Sequence, residues 1–152
     1  MLNAKIVSLI KCARKTVEYL AKNDHEGGLW SYDNDLSLCG YCGISSRFLI
    51  SLGKYHNIHN MKLVCGTFDN KTHCWILYDN NYYIDLTISQ FSSFETKKYI
   101  VGKIDDKFYK QHYRPEMKGY VATSFQKTWE DGQAYEKYAR QLWRIYKNGY
   151  VK

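Results

Sequence analysis

The chain has a single proline in 152 residues and no run of 18 apolar residues. The first scarcity argues against a proline-rich linker or disordered segment, and the second excludes a membrane-spanning helix. No repeat or low-complexity tract is present. Lys and Arg are scattered, with no run longer than two, and no RRM-like, zinc-finger or helix-turn-helix signature accompanies them. The cysteines number five, so they cannot all pair within one chain. With no secretory signature beside them they read as thiols of a reducing compartment. The apolar N-terminus is broken by Lys5, Lys11, Arg14 and Lys15, which fits an ordinary helix and not a signal h-region. The expectation is a cytoplasmic protein.

What is present suits a packed globule. Hydrophobic residues make up 45% of the chain, enough for one domain over residues 1–152 that needs no covalent staples. The net charge is +7, which permits attraction to acidic proteins, nucleic acid or anionic membranes and equally describes a solvated lysine-rich surface. Tyr is abundant, at 15 residues. Tyr lines core edges, grooves and interfaces alike, so its abundance does not choose among them.

Along the chain, Ile6, Leu9, Ile10, Ala13, Val17 and Leu20 recur at helical spacing and predict a helix over 3–22, with Cys12 packed as a small hydrophobe. Residues 24–38 form a polar loop carrying Trp30 and Tyr32, expected to wall a site. Ile44, Phe48, Leu49 and Leu52 predict a second helix over 42–55. Three strands follow, over 61–68, 73–78 and 82–87, with Asp69-Asn70 marking the first turn. Asp79 to Asn81 forms a second turn. If that hairpin is centred on Asp79, which needs an odd loop, His73 lies directly opposite Asp85 on the same face, whereas a two-residue Asn80-Asn81 turn would break the alignment. Residues 88–122 are the least readable. They hold strand-like pieces at 99–104 and 119–121, and Pro115 in a loop. A last helix, capped by Thr123 or Ser124, runs to about Asn148. It faces Phe125, Trp129, Tyr138, Leu142 and Ile145 inward, crosses Gly132 and stops at Gly149.

The chemistry concentrates between residues 38 and 91. Cys39-Gly40-Tyr41-Cys42 precedes a helix, as in dithiol redox proteins. However, the residues before it (SYDNDLS) are polar where such domains have a buried strand. The same two cysteines have zinc-knuckle spacing, with Cys65, His73 or Cys74 as further ligands. Adjacent strand residues such as His73 and Cys74 point to opposite faces, however, and cannot both reach one ion. The third reading is nucleophilic catalysis. A thiol at a helix N-terminus feels the helix dipole, which favours the thiolate. A nearby imidazole completes the ion pair and donates a proton to the leaving group. A carboxylate on the other ring nitrogen holds the tautomer, and the cysteine's own N–H helps to stabilise an oxyanion. Cys42, His73 and Asp85 supply these parts in order.

The segment from Cys42 to Phe91 resembles the transglutaminase-like branch of the papain-like cysteine enzymes. Cys42 opens an apolar helix with a small residue, Ser46, four positions on. The strand KLVCG ends on Gly66, the next begins His73-Cys74-Trp75, and another ends Asp85-Leu86-Thr87. The intervals to Ile58 and Gly66 fit Cys42 and not Cys39 as nucleophile. Asn57 stands where glycine is usual, and Asn tolerates a left-handed backbone. The resemblance covers about a third of the chain.

It implies an α+β fold in which the nucleophile-bearing helix packs on an antiparallel sheet, with N- and C-terminal helices outside this core. It also implies acyl transfer from an amide of a protein or peptide, through a thioester on Cys42. His73 moves the proton and Asp85 orients His73. Water as acceptor gives peptide or isopeptide cleavage or glutamine deamidation, and an amine gives crosslinking. Trp30 and Asn34 are candidates by position for the upstream oxyanion partner, and Gln90 is a candidate for contacting substrate. Some members of the family require calcium. No clustered carboxylate loop is visible here, so neither metal nor cofactor is expected. The contrasting reading is a non-catalytic protein-binding module on the same fold.

Overall fold

The computed structural model of the chain describes residues 2–23, 41–94, 96–115, 121–122 and 129–149. Helix α1 (Ala4–Asn23) is followed by α2 (Cys42–Tyr55), then β1 (Met61–Phe68), β2 (Lys71–Tyr78) and β3 (Tyr82–Asp85). Two 3-10 turns, Ile88–Gln90 and Ser92–Phe94, lead to β4 (Ile100–Lys103), α3 (Lys107–His112), β5 (Tyr113–Pro115), β6 (Val121–Ala122) and α4 (Trp129–Lys147). The architecture is α+β. All pairings are antiparallel, in the order β4-β3-β2-β1-β5, and β6 also pairs with β1.

The sheet separates two apolar clusters. On one side Ile6, Ile10 and Val17 of α1 meet Ile44, Phe48 and Leu49 of α2, with Tyr138, Leu142 and Ile145 of α4, over Leu63, Ile76 and Ile84 of the sheet. On the other side Val64, Phe68, Trp75, Tyr83, Tyr109 and Tyr113 form an aromatic cluster. Alternation along each strand assigns the residues, so Cys74 and Ile76 face the helices while His73 and Trp75 face the aromatics. Each fully buried side chain of this size contributes about 1.5–3 kcal/mol. Truncating Leu49, which is completely buried, to alanine would cost about 2–5 kcal/mol.

The helix ends follow local chemistry. Asn3 Oδ1 accepts the Ile6 N–H at 3.0 Å and caps α1. Helix α2 ends in a Schellman arrangement, with the Ile58 N–H on the Gly53 carbonyl at 2.8 Å and the Asn57 N–H on the Lys54 carbonyl at 3.0 Å. Asn57 supplies the left-handed residue, at φ 63°. Gly149 does the same after α4, at φ 68°.

Several expectations are corrected. Asp69 and Asn70 both take positive φ (48° and 68°), which is the primed two-residue turn. It pairs Phe68 with Lys71, so β2 opens at Lys71 and not at His73. The second hairpin is centred on Asn80 and not on Asp79, because Asn81 joins Asp79 and Asn80 in a three-residue loop and Tyr78 pairs with Tyr82. His73 is therefore diagonal to Asp85, not opposite it. The odd loop still keeps both on one face. β3 ends at Asp85, not Thr87, because the Asp85 carboxylate accepts the Thr87 N–H at 2.9 Å and folds the chain away.

Helix α3 was not expected. Asp106 caps it, accepting the Tyr109 N–H at 2.9 Å. Pro115 lies in edge strand β5 and not in a loop, a place where its missing donor is harmless. Tyr138, Leu142 and Ile145 are buried as expected. Thr123, Ser124, Phe125, Gly119 and the side chain of Trp129 lie outside the described set. Among the described residues no helix is long and apolar enough to cross a membrane.

Candidate active site

Cys42 is the first residue of α2, and the cap residue Tyr41 makes no side-chain hydrogen bond to the helix end. Two hydroxyls in the first turn are buried without loss. Ser45 Oγ donates to the Tyr41 carbonyl at 2.7 Å and Ser46 Oγ to the Cys42 carbonyl at 2.8 Å. This is why a small hydroxyl residue suits position 46 in a helix pressed onto a sheet.

His73 projects from β2 into the aromatic side and is completely buried, as is Asp85 at the end of β3. His73 Nε2 lies 2.7 Å from Asp85 Oδ2. The same carboxylate oxygen accepts the Tyr113 hydroxyl at 2.7 Å, and Oδ1 takes the Thr87 N–H. The imidazole is walled by Phe91, with centroids 4.9 Å apart and rings near perpendicular, and by Trp75 two residues along its own strand. Trp75 is itself held through Nε1, which donates to the Tyr109 hydroxyl at 3.2 Å.

Nε2 of His73 is committed to Asp85, and Nδ1 lies 3.0 Å from Gln90 Nε2. The His73 ring, the Cys74 thiol and the Cys74 backbone N–H are near enough to the Cys42 sulfur to favour its thiolate. These groups, with the charge on His73, hold the Cys42 thiol well below its ordinary range in spite of burial, and the Cys74 thiol is the largest single cause. Burial alone would lower the His73 pKa. The Asp85 charge and hydrogen bond, then Cys42, outweigh it and push His73 up to about 10. Both shifts favour a thiolate–imidazolium pair. Of the three residues only Cys42 is partly exposed.

Gln90 sits on this pair. Its Nε2 is 3.0 Å from His73 Nδ1 and 3.0 Å from Thr87 Oγ1. An imidazolium donates from both nitrogens, so in that state Gln90 meets it with the amide turned to present oxygen. Gln90, a candidate for contacting substrate, contacts the imidazole. Trp30, Asn34 and Cys39 lie outside the described residues.

Sequence reasoning missed two features. One is Tyr113, whose only herald was Gly66. A Cβ at Gly66 would overlap the Arg114 carbonyl and lie 2.8 Å from the Pro115 Cα, so the glycine admits β5 and with it Tyr113. The other is a sulfur cluster. Cys65 pairs directly with Cys74 across β1 and β2, with Sγ atoms 2.6 Å apart. Cys74 also neighbours the Cys42 sulfur, so the three thiols form one group. Among the described residues no group of three or more His, Cys, Asp and Glu is arranged to hold a metal ion.

The chain matches no family model, no curated protein and no solved structure.

Proposed function

We propose that the protein is a thiol enzyme that transfers an acyl group from an amide of a protein or peptide through a thioester on Cys42. The observation that carries the reading is the buried His73 imidazole, held by Asp85 at 2.7 Å and near enough to the Cys42 sulfur for its charge to favour the thiolate. Three residues from α2, β2 and β3 meet in the order that nucleophile, proton carrier and orienting carboxylate require. Exposure supports the assignment, since Cys42 is the member that solvent reaches.

In this reading the Cys42 thiolate attacks the amide carbonyl. The oxyanion forms at the N-terminus of α2, where the Cys42 N–H and the helix dipole stabilise it. The His73 imidazolium gives its proton to the leaving amine, and the thioester remains. Neutral His73 then takes a proton from the acceptor, water or an amine, which opens the thioester. Asp85, held by Tyr113 and Thr87, keeps Nε2 fixed throughout, so that the proton is exchanged at Nδ1 once Gln90 turns from it. The reading agrees with the resemblance to the transglutaminase-like branch of the papain-like cysteine enzymes.

The test is acyl-enzyme trapping. The protein is incubated with glutamine-containing peptides and hydroxylamine, with alkylation of Cys42 by iodoacetamide followed in parallel against pH. Hydroxamate formation that disappears in Cys42→Ser, with fast labelling of Cys42 below neutral pH that slows in His73→Ala, supports the reading. Slow labelling of Cys42 that ignores His73→Ala overturns it and favours a non-catalytic binding module.

A further inference from the structure

The nucleophile explains Cys42 but not the two thiols behind it. Cys74 lies 2.6 Å from Cys65, sulfur to sulfur, and near enough to Cys42 for the two thiols to shift each other's pKa. Cys65 and Cys74 are directly opposed on antiparallel strands. Such pairs have Cα atoms about 4.5–5.5 Å apart, within the roughly 4.4–6.8 Å that a disulfide spans. Both face the helix side of the sheet and both are partly exposed. A core would accommodate either thiol as a small hydrophobe. A three-sulfur chain that starts on the most acidic thiol of the site is instead an arrangement for passing oxidation along.

We propose that Cys65 and Cys74 are a resolving dithiol that rescues Cys42 after oxidation by a hydroperoxide. The Cys42 thiolate attacks the peroxide and becomes a sulfenic acid, releasing water or an alcohol. While Cys42 is a thiolate, Cys74 is held protonated between two electron-rich sulfurs, which together with burial raise its pKa. Oxidation of Cys42 removes one of those charges. Cys74 then loses its proton and attacks the Cys42 sulfur, forming the Cys42–Cys74 disulfide and releasing water.

Cys65 attacks next, at the Cys74 sulfur. Its pKa is lowered by the hydrogen bond from Cys74 in spite of burial, with help from Arg47. The Cys65–Cys74 disulfide forms and Cys42 leaves as a thiolate. Cys42 is the better leaving group because its thiolate is the one stabilised by His73 and the helix N-terminus. Summed, one hydroperoxide and two thiols give one disulfide plus water and the alcohol or a second water, and Cys42 returns unchanged. The proposal requires only that Cys42 be a reactive thiolate. It does not depend on what that thiolate acylates.

The test treats the reduced full-length protein with equimolar hydrogen peroxide at neutral pH. Dimedone and iodoacetamide then trap the products for peptide mass spectrometry. Wild type and Cys39→Ser are expected to lose two hydrogens, with the link mapped to Cys65–Cys74 and Cys42 still alkylated. Cys65→Ser should stop at the Cys42–Cys74 link. Cys74→Ser should accumulate the dimedone adduct of Cys42 about tenfold more than wild type and proceed to sulfinic acid. Over-oxidation of Cys42 in wild type as fast as in Cys74→Ser, with Cys65 and Cys74 both free, overturns the proposal. So does a peroxide-induced link between Cys42 and Cys39. Loss of amide chemistry with these links intact would count against the acyl-transfer reading alone.

Discussion

Tyr113 and His73 share one oxygen. Asp85 Oδ2 accepts the phenol at 2.7 Å and faces the imidazole at 2.7 Å. The carboxylate that fixes the imidazole is therefore itself fixed from a strand on the far edge of the sheet, past β1. Burial first and then the neighbouring Asp85 charge raise the Tyr113 pKa, so the phenol remains a donor throughout the useful pH range. Removing it with Tyr113→Phe leaves the ring and deletes one hydrogen bond to a buried carboxylate. The expected cost is about 1.5–3 kcal/mol of stability. Cys42 alkylation should keep its acidic onset while slowing less than in Asp85→Asn. Chemical denaturation and iodoacetamide kinetics on the two variants check both parts. Equal slowing would give the phenol a role beyond positioning.

Gly66 controls the same contact through the backbone. β1 meets β5 at Gly66, Thr67 and Phe68, and a methyl group at position 66 would overlap the Arg114 carbonyl. Gly66→Ala must push β5 outward or shift β1. Overpacking of this kind costs about 1–3 kcal/mol, and here it also withdraws Tyr113 from Asp85. The prediction is a variant less stable than wild type whose Cys42 labelling slows as in Tyr113→Phe. Because both changes act through one hydrogen bond, adding Tyr113→Phe to Gly66→Ala should slow labelling no further. A double-mutant cycle with labelling rate as readout decides it, and additive slowing would place Gly66 outside this pathway.

How much of this was readable before the structure differs residue by residue. Periodicity located α1, α2 and β1 because each has a continuous apolar stripe. The pairing of His73 with Asp85 was legible as parity: two odd positions flanking an odd loop lie on one face. The register was not, since a centre on Asp79 or on Asn80 keeps the same parity, and the three-residue loop that pairs Tyr78 with Tyr82 sets the centre at Asn80. The Cys65–Cys74 contact was legible in principle. A two-residue Asp69-Asn70 turn pairs 68 with 71 and hence 65 with 74. Tyr113 was not legible. It follows a six-residue helix announced only by Asp106, and it enters the site through a three-residue strand too short to show a period.

Arg14 ties the first helix to the turn that carries Asp85 and Gln90. Its guanidinium is buried and donates to the Leu86 carbonyl at 2.7 Å, the Lys98 carbonyl at 2.7 Å and Ser89 Oγ at 3.0 Å, and pairs with Glu18 at 2.7 Å. Helix α1 thus reaches the loop behind the aspartate with a group that satisfies three acceptors at once. Arg14→Met keeps the length and removes every donor, leaving buried carbonyls and Glu18 without this partner. A loss of about 3–5 kcal/mol is expected, with Glu18→Gln costing much less because Lys98 and solvent also reach it. Denaturant midpoints for the two variants provide the check. Near-neutral stability of Arg14→Met would mean that the turn after β3 stands without α1.

The acid–base state of the site predicts an unusual pH profile of stability. His73 is raised from an ordinary 6.5 to about 10. Its contribution is fully present below 6.5 and is lost as pH rises through about 10. Cys42 is lowered well below an ordinary 9.0. Its contribution is present above 9.0 and is lost as pH falls through the folded value. Between 6.5 and 9.0 the unfolded pair holds one proton, on sulfur, and the folded pair also holds one, on the imidazole. Equal proton counts mean no slope from this pair in that window. Below it the unfolded chain binds the extra proton and stability rises with pH; above it the folded chain does, and stability falls. Cys42→Ala removes the compensating thiol, so the His73 loss should begin at about pH 6.5 and deepen steadily toward pH 9. Urea midpoints across this range for wild type and Cys42→Ala separate the cases. A wild type that falls in parallel with Cys42→Ala would mean that the folded site holds two protons, an imidazolium beside a protonated thiol, and Cys42 would then lack the thiolate on which both its acyl chemistry and its rescue by Cys74 rest.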